Sequence, residues 1–172
     1  MKKVFLSACA TLFLFSACKD DPKGNTPEPP ASRKAIIGVE GINPNGISSI
    51  GVYDILNQTL DNNVYRKANL TTLGAGLSDI YADEETKRFF AILPSSEKMA
   101  VCDLNTFELI RNVPVGEGAR RIKRVTENKY YLTSWDEQGV VVMGGNRFGR
   151  LKTIISPTAT APNDMVQWEN LV

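Results

Sequence analysis

The sequence predicts an all-β chain built from four-stranded β-propeller-type blades, about two and a half of them. Three observations carry this prediction. Beyond residue 34, short apolar runs alternate with turn signals, and none is a 3.6-residue apolar stripe capped at both ends. The apolar anchors Ile80, Ile122 and Met165 recur 42 and 43 residues apart, in the settings Leu77-Ser78-Asp79, Ala119-Arg120-Arg121 and Pro162-Asn163-Asp164. The other strand positions keep step: Phe89-Phe90 with Tyr130-Tyr131 at 41, Val101 with Val141 at 40, Leu109 with Leu151 at 42. A period of about 40–45 residues with four strands is that of a propeller blade.

Taken in order, residues 1–17 read as a signal peptide. Lys2 and Lys3 precede a fourteen-residue apolar run, 4–17. That is short of the roughly 20 residues a membrane-spanning helix needs. Residues 18–33 read as a tether. They hold four of the nine prolines and no apolar side chain larger than alanine, apart from Cys18. Such a stretch buries too little to offset its ordering entropy.

Residues 34–172 read as the folded domain. Strands are expected at 35–39, 50–54, 80–82, 88–93, 99–103, 108–113, 121–125, 129–133, 140–143 and 150–155. Asn-Pro and Asn-Gly in Asn43-Pro44-Asn45-Gly46 mark a loop between the first two. Val52-Tyr53-Asp54 matches Val101-Cys102-Asp103, although at a longer spacing than the other repeats. Propellers close with 4–8 blades. The chain stops at Val172, where the inner strand of a further blade is due. The expectation is therefore a truncated chain, with a small module completed by self-association as the alternative.

The composition excludes several functions. A chain of 172 residues is one ordinary domain. Twenty Lys+Arg against nineteen Asp+Glu leave no basic excess for a nucleic-acid partner. There is no histidine, which removes Ser-His and Cys-His catalytic pairs and His-ligated zinc. Neither a metal nor another cofactor is expected.

Three sequence features resemble known families. Phe15-Ser16-Ala17-Cys18 resembles the lipobox of bacterial lipoproteins, which implies that Cys18 becomes the lipidated first residue. Lys19-Asp20-Asp21 is similar to the surface-export signal of Bacteroidota lipoproteins. Together with Tyr130-Tyr131-Leu132-Thr133-Ser134-Trp135-Asp136 and Val101-Cys102-Asp103-Leu104-Asn105-Thr106, these features resemble the YncE-like propeller lipoproteins of Bacteroidota. The resemblance implies an outer-membrane location, lipid-anchored and exposed at the cell surface. It also implies a role in capturing a ligand beside a TonB-dependent transporter. One group of that family captures corrinoids.

The remaining residues offer little chemistry. Cys102, between Val101 and Asp103, reads as a half-buried structural residue with nothing near it to activate a thiolate. Asp83-Glu84-Glu85 reads as a charged hairpin turn that stays solvated, and Asp54 and Asp103 as turn-forming residues. No carboxylate pair is singled out for catalysis, so no enzymatic activity is expected.

Binding is easier to place, on the face where the blade-joining loops gather. Trp135 lies in a polar turn where no core demands an indole. Arg120 and Arg121 open an inner strand, and Asn45 lies in a loop of the same face. Asp79, Arg121 and Asp164 share one repeat position and should ring the mouth of a channel. The alternatives are that Trp135 packs on its own hairpin and that the charges are solvated. The function expected is non-enzymatic ligand capture. A protein- or glycan-binding module, or a non-functional fragment of a longer propeller, is the alternative.

Overall fold

The structure is a computed structural model that describes residues 33–41, 46–137, 139–155, 157–158 and 160–166. These belong to a compact unit spanning Ser32–Val172. The signal segment, Cys18, the tether up to residue 32 and Asn45 lie outside the described residues.

Among the described residues, eleven strands form three antiparallel sheets, each with its strands in chain order. The first holds β1 (Lys34–Val39), β2 (Ser49–Asp54) and β3 (Thr59–Asp61). The second holds β4 (Asp79–Asp83), β5 (Arg88–Leu93), β6 (Lys98–Asp103) and β7 (Leu109–Pro114). The third holds β8 (Ala119–Thr126), β9 (Lys129–Ser134), β10 (Gly139–Gly144) and β11 (Arg150–Ile155). This is an open, incomplete β-propeller. All ten expected strands are present.

The repeat extends to irregularities. The β6–β7 register shifts between Val101 and Cys102, and the β10–β11 register between Val142 and Met143, so the bulge recurs 41 residues on. Val101 and Val141 do lie in third strands. Their spacing of 40 is one short of that bulge period, so they point to opposite faces of their sheets and meet across a single core.

Two elements differ from expectation. β3 is a three-residue strand, and a short helix α1 (Val64–Asn69) follows it. Asn63 stands at its N-cap but makes no side-chain cap hydrogen bond, and the first turn has no acidic residue. Its buried Val64 and Tyr65 hold it against the sheets. Residues 62–78 join β3 to β4, where residues 115–118 suffice between β7 and β8. That insertion explains the long first spacing.

Alternation in β5 divides the core. Phe89, Ala91 and Leu93 face the first sheet, with Ile50, Tyr65 and Cys102. Phe90 and Ile92 face the third, with Tyr130, Leu132 and Phe148. A sheet buried on both faces reads as the unbroken apolar run Phe89-Phe90-Ala91-Ile92-Leu93.

A polar latch crosses the second core. Asp83, expected in a solvated turn, is 3% exposed. It accepts a hydrogen bond from Tyr130 Oη at 2.7 Å and lies 3.3 Å from Arg124 Nε. Arg124 also pairs with Glu85. Burying a carboxylate is tolerable only when it is paired and hydrogen-bonded in this way.

Candidate functional site

The site grows from the inner-strand entries, where the repeat places related residues side by side. Asp79 opens β4, and Arg121 lies at the start of β8. Arg121 Nε is 4.0 Å from Asp79 Oδ1 and 3.8 Å from Asp164 Oδ1. The three residues predicted to ring a channel mouth thus meet, but as an ion-paired ladder between successive entries. Arg121 further donates to the backbone oxygens of Ser78 and Arg120. Asp79 Oδ2 accepts the Ile122 N–H at 3.1 Å. Burial raises the Asp79 carboxyl above its ordinary value, against the pull of that N–H and of Arg121. These contacts tie adjacent blades together, with the Arg121 side chain about a third exposed.

Arg120 and Trp135 differ. The Arg120 guanidinium carbon lies 3.3 Å from the Trp135 ring centroid, a cation–π stack. Trp135 Nε1 donates to Asn163 Oδ1 at 3.2 Å, and its backbone N–H to Gly118 O at 2.8 Å. The indole is therefore held by neighbours on both sides of its own hairpin and still remains 52% exposed. Arg120 Nε is buried without a hydrogen-bond acceptor, among the described residues the one side-chain atom in that state.

Around this pair runs a depression of about 480 Å³, lined by Glu40, Ser78, Ser95, Glu117, Arg120, Arg121, Trp135 and Asn163 among others. Charges of both signs and one aromatic platform suit a polar ligand with an apolar face. The sequence pointed to Trp135 and both arginines, and its loop face also held Ser95, Glu117 and Asn163 within 95–98, 116–121 and 158–164; it missed Glu40. Asn163 carried a signal, since it precedes Asp164 as Ser78 precedes Asp79.

Cys102 is fully buried rather than half-buried, and burial, with Asp103 adding to it, pushes its thiol up to about 12. It should stay unlabelled by a thiol reagent such as dithionitrobenzoate in the native chain and react once the chain is unfolded. In a Cys9→Ser, Cys18→Ser chain, where Cys102 is the one remaining thiol, stoichiometric labelling without denaturant would contradict this burial.

Neither a protein-family model nor a curated relative matches the sequence. Solved structures do. A chain of the nidogen/laminin complex matches at 9% identity with a TM-score of 0.51, over 66% of this chain and 40% of its own. Hydrazine synthase of Kuenenia stuttgartiensis matches at 14% identity and 0.53, over 66% and 31%. Apo AztD of Citrobacter koseri matches at 16% identity and 0.50, over 68% and 34%. The chain therefore spans between about a third and two fifths of the proteins it is similar to. At such identities the likeness bears on fold alone, and the fold it shows is the β-propeller.

Proposed function

We propose that this chain is a lipoprotein anchored through Cys18 at the outer-membrane surface, where it captures a small nutrient beside a TonB-dependent transporter. The reading is non-enzymatic, and a corrinoid is the first ligand class to try, by the family resemblance. The observation that carries it is Trp135. An indole fixed by Arg120 and Asn163, and half exposed at the rim of a polar depression, is a preorganised contact that no core requires. Trp135 is also the only aromatic among the exposed large apolar side chains of the described residues. A flat aromatic-rich adhesion face is correspondingly less well supported.

Titration of the full chain with cyanocobalamin, followed by tryptophan fluorescence, tests the reading. Saturable quenching is expected. Trp135→Ala should weaken the binding about tenfold or more. It should leave thermal stability nearly unchanged, because the ring is outside the core. Absence of saturable binding, or binding indifferent to Trp135→Ala, would remove corrinoid capture at this site. Metabolic labelling with palmitate, lost in Cys18→Ala, tests the anchor separately.

A further inference from the structure

Of the two arginines at the depression, only Arg121 is ion-paired, to Asp79 and Asp164. Elsewhere too the chain pairs its arginines where they hold structure, Arg124 with Asp83 and Glu85, Arg150 with Glu137. Arg120 stacks on Trp135, but among the described residues its guanidinium makes no ion pair and no hydrogen bond. The repeat gives no reason for an arginine there. The same position holds Ser78 and Asn163 in the two related settings, and these short side chains are satisfied locally. Ser78 Oγ donates to the Ala119 and Arg120 carbonyls at 3.3 and 3.2 Å, and Asn163 Oδ1 accepts from Trp135. A guanidinium presents five N–H donors and no acceptor, so an unpaired one in a recess is matched by an anionic group from outside.

Two carboxylates share the recess. Glu40 follows the last residue of β1, and Glu117 lies in the loop between β7 and β8. Both are exposed, and among the described residues neither carboxylate has an ion-pair or hydrogen-bond partner. A purely anionic ligand would face both of them, and a simple amine would face Arg120. Like charges brought together in this way reject the wrong partner. A ligand that carries both signs satisfies all three groups.

We propose that the depression takes a free aromatic α-amino acid, its carboxylate on Arg120, its ammonium toward Glu40 and Glu117, and its ring on the open part of Trp135. A carboxylate matches the guanidinium fork with two parallel hydrogen bonds. An ammonium has three donors, enough for two carboxylates. The half-exposed indole adds aromatic contact for the side chain. The recess, about 480 Å³, is within the range of about 300–1,000 Å³ usual for small-molecule sites. The proposal rests on the reading of this depression as a capture site and is independent of the corrinoid class.

Isothermal titration calorimetry of the full chain in mild detergent tests it, with three ligands of one shape. L-Phenylalanine carries both charges, 3-phenylpropionate lacks the ammonium, and phenethylamine lacks the carboxylate. Phenylalanine should bind about tenfold or more tighter than either analogue. Arg120→Gln keeps a planar group over the indole and removes the charge. It should weaken phenylalanine and 3-phenylpropionate about tenfold and leave phenethylamine no weaker. The double variant Glu40→Gln, Glu117→Gln should do the opposite, weakening phenylalanine and phenethylamine and sparing 3-phenylpropionate. All three positions lie outside the core, so both variants should keep the far-ultraviolet dichroism of the native chain. Phenylalanine binding that tolerates loss of either charge, on the ligand or on the protein, would overturn the proposal. Cyanocobalamin titrated in parallel separates it from the preceding reading. Binding of cyanocobalamin without phenylalanine would overturn the amino-acid class and leave the capture site standing. Binding of neither would overturn this proposal together with corrinoid capture.

Discussion

Asp83→Ala is expected to cost about 3–5 kcal/mol of stability, because it breaks a buried ion pair from one side. The carboxylate is almost fully buried at the end of β4 and is held by Tyr130 and Arg124 from the third sheet. Removing it leaves the Tyr130 hydroxyl and the Arg124 Nε–H without that acceptor between two sheets. For a domain whose whole stability is about 5–15 kcal/mol, this is a large fraction.

The effect should depend on pH in one direction. Burial pushes the Asp83 carboxyl up, but the Tyr130 hydroxyl, Thr86 and Arg124 outweigh it and hold the group below its ordinary value. A carboxyl with a lowered folded value adds stability that is complete above its unfolded value, about 4. That stability is lost as pH falls through the folded value. Urea denaturation of the native chain and of Asp83→Asn, repeated from pH 7 down to pH 3, should therefore show a gap that narrows at the acid end. A gap of constant size would mean that the charge contributes nothing. Tyr130, the partner, moves the other way: burial, and then Asp83, push its hydroxyl up to about 12, so it remains a donor throughout this range.

Phe90→Ala should be as damaging, about 3–5 kcal/mol, for a different reason. Its ring is completely buried on the face of β5 that meets the third sheet. Ring centroids lie 5.1 Å from Tyr130, 5.4 Å from Phe148 and 5.9 Å from Tyr81. These rings come from both sheets, so the cavity would open where two blades join and could not be filled by one of them alone. Leu151→Ala, at a side chain 60% exposed on β11, should change stability by no more than about 0.5 kcal/mol. Equal losses for the two variants, measured by urea denaturation, would show that the inter-blade core is not where the stability lies.

The contrast between these residues and the binding face marks how far the sequence could be read. The strands were legible because they are local. The unbroken apolar run Phe89-Phe90-Ala91-Ile92-Leu93 and the 42- and 43-residue recurrence of inner-strand anchors survive in one dimension. The exposure of Trp135 was legible too, because an indole among polar turn residues has no local core to enter.

The role of a charge was not legible. Asp83 and Glu84 look alike in sequence, yet one is buried and the other faces water. What separates them is Tyr130, 47 residues away, and no pattern of period two or forty-two ties a carboxyl to a phenol at that distance. That Arg121, at the edge of the depression, is also ion-paired to Asp79 and Asp164 across blades was not legible either. α1 was missed because it is short and held by buried Val64 and Tyr65, with no cap hydrogen bond from Asn63.

The sequence by itself thus determined the strands, their grouping into blades and the face that gathers the loops. These follow from backbone alternation and from repetition. Only the tertiary structure decided which charges are buried latches, what fixes Trp135, and that, among the described residues, the first sheet has three strands where the others have four. Those depend on which side chains the stacking of sheets brings within a hydrogen bond of each other, and stacking joins residues about forty positions apart.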